Sequence, residues 1–246
     1  MDRRSLAVVC ALSTVAGASS ALASVVGSDS AADAAYNSGW SSGSNGGTGF
    51  GPWQLSGGTN AGSFTGDSSN NGTSPSGNIN TSGRAWGMYA NSGQTSSAVR
   101  DFVGDMLVGQ TFNISMDNGF IDGGSSVGLE LRNGPLTNIF FNFTGGGTTY
   151  NYNGGSAGLG FTANGFTLSF TITSLSTFDL SINGGPPISG TLLGAGLPNN
   201  VRLFNFNAGG GSQRDAFWNS MAIVPTPGAA ALAGFGLLAG ARRRRV

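Results

Sequence analysis

The sequence contains no histidine and no lysine, and its only cysteine is Cys10. Glutamate occurs once, as Glu130. These absences exclude a Ser-His-Asp triad, a Cys-His pair, a histidine-containing zinc site and a Schiff-base lysine. The remaining hydrolytic route is a pair of carboxylates, as in glycoside hydrolysis. Because Glu130 is out of phase with the apolar residues around it, we expect it to face solvent and we expect no enzymatic activity.

Charged residues are also scarce, at 9% of the chain, and all eleven basic residues are arginine. Six of these arginines lie at the two chain ends, so residues 24–223 hold five arginines against ten acidic residues. This acidic balance lacks the basic footprint of a nucleic-acid-binding protein. The 16 phenylalanines and four tryptophans argue against disorder despite the 44 glycines.

Apolar and polar residues alternate through much of residues 24–223. The alternating sets are Phe112–Met116, Val127–Leu131, Ile139–Phe143, Phe166–Ile172 and Phe178–Ile182. This period of two predicts strands with one buried face, and the Asn-Gly pairs between them predict turns. We therefore expect residues 24–223, which we call the body, to form ten to fourteen strands in an all-β, antiparallel β-sandwich of jelly-roll type. Residues 66–83 have almost no apolar side chain except Ile79 and are predicted to form a flexible surface loop.

The beginning of the chain has the pattern of a secretory signal peptide. Arg3-Arg4 is followed by mostly apolar and small residues from Leu6 to Ala18, and then by Ala21-Leu22-Ala23. Small residues at these last positions suit signal peptidase. We expect residues 1–23 to form a signal helix that is removed, so that the mature chain begins near Ser24 and contains no cysteine.

The last 23 residues consist of three parts. These are the motif Val224, Pro225, Thr226 and Pro227, an uncharged apolar run over residues 229–241, and the cluster Arg242, Arg243, Arg244 and Arg245. The prolines disfavour helix and separate the tail from the body. The run rises about 20 Å as a helix, short of the roughly 30 Å hydrocarbon core, and predicts a short transmembrane helix. The four arginines are predicted to stop transfer and to remain on the cytoplasmic side.

This three-part tail resembles the PEP-CTERM sorting signal of exported bacterial proteins, with Thr226 where the commonest motif has glutamate. The resemblance implies cleavage near the motif by an exosortase-type membrane protease. The protein would be held briefly in the membrane by its C-terminus and would end in the cell envelope or outside the cell. The alternatives are an ordinary single-pass anchor and an apolar tail without a sorting role. The body is similar to concanavalin-like and jelly-roll sandwiches, although no residue motif ties it to one family.

Four aromatic residues are candidates for stacking on a glycan: Trp86, Tyr89, Tyr150 and Tyr152. Flat aromatic rings present apolar faces to the C–H groups of a pyranose. Trp86 and Met88 are expected to share one face of their strand, with Tyr89 on the other, and Tyr150 and Tyr152 are expected to share a face. The alternative for each ring is packing in the core.

Calcium is the one metal that the residue types allow, and no other cofactor is predicted. Asp117 and Asp122 flank the Asn118-Gly119 turn, and carboxylate oxygens are ligands that calcium prefers. A structural calcium site is therefore one interpretation of these residues. The alternative is that the aspartates and asparagines simply form turns.

Two functions remain open from the sequence. The first is a non-enzymatic exported surface or matrix protein, and the second is a carbohydrate-binding module for an extracellular polysaccharide. A sheet face with two or more exposed aromatic rings favours binding. A flat face of serine, threonine and asparagine favours the structural role.

Overall fold

A computed structural model describes residues 26–71, 77–91 and 93–225. The predicted signal peptide, Thr226, Pro227, the run 229–241 and the cluster Arg242–Arg245 lie outside this part of the chain. Among the described residues, no helix is long and apolar enough to cross a membrane.

The described residues form fifteen strands and three single-turn 3₁₀ helices. In chain order the strands are β1 (Gly27–Asp29), β2 (Gln54–Gly57), β3 (Ala61–Gly66), β4 (Ala85–Ala90), β5 (Thr95–Asp101), β6 (Gln110–Asn118), β7 (Ser126–Asn133), β8 (Leu136–Thr144), β9 (Thr149–Tyr152), β10 (Gly155–Gly160), β11 (Phe166–Ile172), β12 (Thr177–Ile182), β13 (Ile188–Thr191), β14 (Asn200–Phe206) and β15 (Ala216–Pro225). The 3₁₀ helices are Ala34–Tyr36, Ser68–Asn70 and Ser212–Arg214.

The strands make two antiparallel sheets. The first sheet has the order β13-β12-β11-β6-β15-β4-β3, and β1 pairs with the second half of β15. The second sheet has the order β10-β9-β8-β7-β14-β5-β2. The inner faces of both sheets contribute to a single hydrophobic core, as in a β-sandwich. The expectation of an all-β antiparallel fold is confirmed.

The predicted alternation sets the two faces of each long strand. Phe112, Ile114 and Met116 of β6 are buried, and so are Phe141 and Phe143 of β8. The polar residues between them point to the other face of each sheet. The core is rich in aromatic rings because these strands place phenylalanine at successive inward positions. Tilted and edge-to-face contacts join the rings across the two sheets.

The two closing strands are consecutive in sequence but belong to different sheets. β14 lies between β7 and β5 in the second sheet, whereas β15 lies between β6 and β4 in the first. The register of β15 shifts between Asn219 and Ala222, and Ser220 has a positive φ of 53° there. This irregularity lets β4 pair with the first half of β15 and β1 with the second half.

Residues 66–83 differ from the predicted flexible loop where the structure describes them. Ser68 and Asn71 are fully buried. The Asn71 side chain donates to an Asp117 carboxylate oxygen at 2.8 Å, and the Ile79 N–H donates to the Ser68 hydroxyl at 2.9 Å. Polar side chains that satisfy one another, rather than apolar ones, hold this segment against the first sheet.

The folded part also extends past the predicted boundary at residue 223. β15 continues through Val224 and Pro225, which lie opposite Thr111 and Gln110 of β6. Val224 and Pro225, the first two residues of the Val-Pro-Thr-Pro motif, are therefore strand residues. Thr226 and Pro227 follow outside the described part of the chain.

Candidate functional site

The outer face of the second sheet carries an aromatic and charged surface at its centre. On β14, Val201 and Leu203 point into the core, so Arg202, Phe204 and Phe206 point outward. The facing residues on the next two strands are Ser126, Gly128 and Glu130 of β7, and Phe140 and Asn142 of β8. We call this set of outward residues on β7, β8 and β14 the aromatic face.

Two phenylalanine rings of the aromatic face stack diagonally across β7. Phe140 and Phe204 have centroids 5.6 Å apart and planes only 7° from parallel. Phe204 lies opposite Gly128 of β7 and Phe140 lies opposite Glu130, so the rings meet diagonally across β7 beside a position that has no side chain. A Cβ atom at this position would lie 2.0 Å from the Phe141 carbonyl oxygen, so the backbone geometry also requires glycine. Phe206 continues the aromatic surface along β14 and is 46% exposed.

Charged groups border the rings on the aromatic face. The Glu130 carboxylate pairs with Arg202 at 3.3 Å and with Arg132 at 3.5 Å. Arg202 also donates from Nε to the Ser97 hydroxyl at 2.8 Å, and its guanidinium carbon is 5.6 Å from the centre of the Phe204 ring. The ring, the cation and the carboxylate therefore fix one another in place.

The expectation that Glu130 faces solvent is only half right. Its parity is as predicted, since it lies on the outer face, but the residue is only 9% exposed. The two arginines on neighbouring positions cover it, because long side chains lie flat across a sheet. Within the described residues, Glu130 thus acts as an ion-pair partner on a surface, without a second carboxylate in its network.

Trp86 and Tyr150 are wrong as glycan-stacking candidates, because both are fully buried. Trp86 shares the inner face with Met88, as expected, and packs edge-to-face against Tyr36 and Trp53. Tyr150 lies in the core, where its hydroxyl donates to Asn118 at 2.8 Å. Both rings serve the core, the alternative that the sequence left open.

Tyr89 and Tyr152 are more accessible. Tyr89 points outward from the first sheet, as expected, and is 38% exposed. Its ring lies 6.4 Å from that of Phe64 on neighbouring β3. Tyr152 shares the inner face with Tyr150, is half-buried, and donates to the Ser189 carbonyl of the opposite sheet at 3.4 Å. Tyr152 thus joins the two sheets at one edge, and only Tyr89 of the four candidates is exposed.

The structure gives Asp117 and Asp122 separate partners. Asp117 is fully buried and accepts the hydrogen bond from Asn71, whereas Asp122 pairs with Arg214 at 2.6 Å on the surface. No group of three or more acidic, histidine or cysteine side chains that could hold a metal ion occurs within the described ranges. The described geometry therefore assigns these aspartates to hydrogen bonding and ion pairing.

Burial gives Asp117 an unusual pKa. Desolvation raises the pKa of this carboxyl to about 7, against hydrogen bonds that lower it. One carboxylate oxygen, Oδ2, has no hydrogen-bond partner within the described residues. Such a group in an open cleft would suggest catalysis. Asp117 is instead sealed in the protein, so its raised pKa bears on stability.

Three surface clefts lie elsewhere on the described part of the molecule. One of about 390 Å³ is lined by Asp29, Asp33 and Ser220, and one of about 330 Å³ by Asn80 and Asn164. A third of about 270 Å³ lies between Leu159 at the edge of the second sheet and β12–β13 of the first sheet. All three are shallow, and the acidic residues that line them are Asp29 and Asp33 of the first cleft, of which Asp29 is paired with Arg100. The aromatic face is an open sheet surface rather than a cleft, a shape that suits an extended chain.

The sequence interpretation missed Phe140, Phe204 and Phe206. The sequence signal for these residues was an aromatic residue at a strand position where the alternation of apolar and polar residues predicts a polar one. Phe140 lies between the inward residues Ile139 and Phe141, so its parity places it on the outer face. A large aromatic ring at an outward position of a regular strand is the pattern that marks this surface.

No family model matches the sequence, and no curated protein matches it. Among solved structures, the fold is partly similar to the receptor-binding domain of botulinum neurotoxin D, with a TM-score of 0.43 and 10% identity over 76% of this chain. This chain spans about half of that protein, with 48% of it covered.

Two shorter proteins show a comparable likeness. The globular domain of T. cruzi calreticulin has a TM-score of 0.41 and 8% identity, covering 64% of this chain and 84% of that one. The alginate lyase from Corynebacterium sp. has a TM-score of 0.40 and 13% identity, covering 62% of this chain and 82% of that one. Scores and identities this low do not transfer an activity or a ligand to this chain.

Proposed function

We propose that this chain is an exported, non-enzymatic protein that binds an extracellular polysaccharide on its aromatic face. The observation that carries the proposal is the exposed ring of Phe206 on the same face as the half-buried ring of Phe140, which stacks on the buried Phe204 and is bordered by Arg202 and Glu130. In its finer architecture we assign the body to the jelly-roll, concanavalin-like type of β-sandwich. The description of two antiparallel sheets around one core does not depend on that assignment.

The aromatic face combines the two kinds of contact that sugars need. Phenyl rings take the C–H faces of a pyranose, while hydroxyl groups require donors and acceptors fixed at the rim. Arg202, Glu130 and Asn142 supply these polar groups, and Asn142 is itself positioned by hydrogen bonds to Ser126 and Thr144, each 3.0 Å long. Because the ion pairs and ring stack already hold these side chains, little conformational entropy is lost on binding.

The residues of the aromatic face do not suit catalysis. General acid–base hydrolysis of a glycoside requires two carboxyl groups on either side of the scissile bond. Glu130 pairs with two arginines and has no second carboxylate in its ion-pair network within the described residues. Binding without turnover is therefore the activity that this arrangement supports.

Replacing Phe206 by alanine is expected to weaken polysaccharide binding by about fivefold or more, since one lost stacking contact is worth roughly 1 kcal/mol. Phe140→Ala should have a similar or larger effect, because it also removes the ring on which Phe204 stacks. Phe120→Ala is the matched control, since Phe120 is a similarly exposed phenylalanine, at 51%, away from this face. Affinity electrophoresis against a panel of neutral and acidic polysaccharides measures the effect. Equal retardation of all three variants would exclude the aromatic face as the binding surface.

A structural role in the envelope or matrix is the second candidate, and the outer face of the first sheet favours it. This face is lined by hydroxyl and amide side chains that bond to one another across the strands. Thr111 and Thr171 are 2.8 Å apart, Ser169 donates to Asn113 at 2.6 Å, and Ser189 donates to Asp179 at 2.7 Å. If wild-type protein binds no polysaccharide of the panel, this structural role is the better description.

We also propose that the protein reaches its location through both chain ends. Signal peptidase would remove residues 1–23, and an exosortase-type membrane protease would cleave near Val224–Pro227 while the tail holds the protein in the membrane. The support is the order and spacing of the motif, the apolar run 229–241 and the arginine cluster. The arginines resist passage through lipid because each guanidinium is costly to bury there.

Two tail variants test this sorting proposal. Replacing Arg242–Arg245 by serine should remove the stop-transfer signal, so that unprocessed protein accumulates. Replacing Pro225 and Pro227 by alanine should leave the protein in the membrane and uncleaved, because the prolines no longer disfavour helix between the body and the apolar run. Pro187→Ala, in a turn of the body, should be processed like wild type. Immunoblots of membrane and released fractions report the outcome, and release of both tail variants at the mature size would refute a sorting role.

A further inference from the structure

The chain enters and leaves the fold side by side at one end of the sandwich. The Val26 N–H donates to the Ile223 carbonyl at 2.9 Å. Pro225, the last strand residue, lies opposite Gln110, the first residue of β6. We call this part of the molecule the terminal end. It is closed by the loops 102–109, 134–135, 173–176 and 192–199.

These loops form one connected surface that spans both sheets. The strand register places all four at the same end as Gln110. The Met106 N–H donates to the Pro198 carbonyl and the Gly109 N–H to the Ile172 carbonyl, both at 2.7 Å. The Leu193 N–H also donates to the Asn138 carbonyl at 2.8 Å. Backbone hydrogen bonds therefore hold the loops in fixed relative positions.

Exposed aliphatic side chains are concentrated on the terminal end. Of the described residues, seven large aliphatic ones are 48% to 81% exposed, and all seven lie here: Val26, Val103, Leu107, Val108, Leu136, Leu175 and Leu193. The other exposed large apolar residues, Tyr89, Phe120 and Phe206, are aromatic and lie toward the opposite end. Single exposed apolar residues are ordinary, but a cluster confined to one end marks a contact surface.

Charge is nearly absent from the same loops. The four loops hold one charged side chain, Asp105, whose carboxylate accepts a hydrogen bond from Asn199 at 3.0 Å. Asp101 and Arg132 lie on the flanking strand ends. No basic residue lies in the four loops themselves. A partner for this surface must therefore be apolar rather than anionic.

We infer that the terminal end rests on the surface of a lipid bilayer, with its leucine and valine side chains in the interfacial region. This inference rests on the proposed membrane tail. The apolar run starts at residue 229, so only three residues separate it from Pro225. Three or four extended residues reach about 10–14 Å. A tail in the membrane thus holds the terminal end against the headgroups, and the aliphatic side chains gain burial there without needing basic residues.

The orientation has a consequence for the aromatic face. The aromatic rings of β14 run toward Phe206 at the end of the strand that lies away from the membrane. With the terminal end on lipid, the aromatic face is accessible from the space outside the cell. A held precursor is therefore already able to bind its ligand before the tail is cleaved.

Depth-dependent fluorescence quenching tests the inference on the full chain. Cys10→Ser removes the only cysteine, and single cysteines at Leu175, Leu193 or Phe120 carry a polarity-sensitive dye. Each protein is reconstituted into phosphatidylcholine vesicles with or without lipid spin-labelled near the headgroup. Dyes at positions 175 and 193 should be quenched about twofold or more, and the dye at position 120 should not. Adding anionic lipid should not increase the quenching.

The other possible occupants give different results. A dye at position 175 that is shielded, unquenched by lipid and sensitive to protein concentration would indicate a second copy of the chain. Shielding that is independent of concentration would indicate that the chain's own tail covers the loops. Either result overturns the lipid contact. Protein that floats with vesicles but shows no quenching overturns only this inference, whereas protein that does not float overturns the membrane tail as well.

Discussion

Replacing Arg100 by methionine is expected to lower the free energy of unfolding by about 3–5 kcal/mol, because the change leaves a buried carboxylate without its partner. Arg100 and the Asp29 side chain are both fully buried, and they form an ion pair through NH1 and Oδ2. Asp29 belongs to β1 and Arg100 to β5, so the pair joins the first sheet to the second.

The environment of Arg100 explains why the expected loss is large. Its Nε donates to the Gly51 carbonyl at 2.8 Å, and NH2 donates to the Gly46 carbonyl at 2.7 Å and to Asn45 at 3.1 Å. NH1 donates to Asp29 and to the Tyr36 hydroxyl. The rings of Phe50 and Trp53 lie 5.2 Å and 5.0 Å from the guanidinium carbon. Arg100 thus fastens residues 29–53, which have little regular structure, onto the sandwich.

The Tyr36 hydroxyl completes this cluster. Burial and the hydrogen bond to Asp29 raise the pKa of Tyr36, so the phenol stays protonated and donates to the carboxylate. The same oxygen accepts from Trp53 at 3.1 Å and from the Gly46 N–H at 3.3 Å. Because each group holds two or three others, removal of one partner leaves several polar atoms unsatisfied.

Equilibrium urea unfolding measures the loss, and two further variants make it interpretable. Arg214→Met removes a partly exposed ion pair with Asp122 and should cost at most about 1 kcal/mol. Adding Asp29→Asn to Arg100→Met should recover part of the loss, because the uncompensated buried charge is then gone. A stability for Arg100→Met within 1 kcal/mol of wild type would contradict the proposed role of the cluster.

The Arg100 cluster shows where prediction from sequence stops. Alternation in Val99-Arg100-Asp101 gives two faces but favours valine as the inward residue, whereas the structure turns Arg100 inward. The reason is a partner 71 residues away in the sequence, and no local pattern indicates it. Long-range polar pairing therefore overrides the local hydrophobic preference at this position.

The strands themselves could be predicted from the sequence. The alternating residues of β6, β8 and β11 are inward as predicted, because the hydrophobic pattern alone decides which face is buried. The glycan-stacking residues were harder to predict from the sequence, because Trp86 and Tyr89 are both aromatic and occupy opposite faces of β4. Parity separates the two rings without saying which one lies inside. The size of Trp86 and its contacts with residues from distant segments settle that choice.

The unfolding free energy is expected to fall as the pH rises from about 4 to 7, and the buried carboxyl of Asp117 is one of the groups that cause this change. Burial raises the pKa of Asp117 from 3.8 to about 7 in the folded protein. Between these values the folded state holds a proton that the unfolded state has released, so a rise in pH favours unfolding. The loss is complete above about pH 7. A pKa shift of this size corresponds to a change in the unfolding free energy of about 2–4 kcal/mol at most.

Asp117→Asn removes the titrating group and keeps an oxygen that can accept the hydrogen bond from Asn71. The variant should be more stable than wild type at pH 8, and the difference between the two should shrink as the pH falls to 5. Burial also raises the pKa of Asp215 to about 7, so Asp215→Asn should flatten the remaining pH dependence. Hydrogen bonds lower the pKa values of Asp33 and Asp67, so these two groups change the unfolding free energy only below about pH 4, outside this range. Urea unfolding at pH 5, 6, 7 and 8 measures the slopes, with Asp101→Asn as an exposed control. If the unfolding free energy of Asp117→Asn depends on pH as steeply as that of wild type, the ionisation of Asp117 does not control stability. Ionisation of Asp117 would then not weaken the packing of residues 67–71 against it.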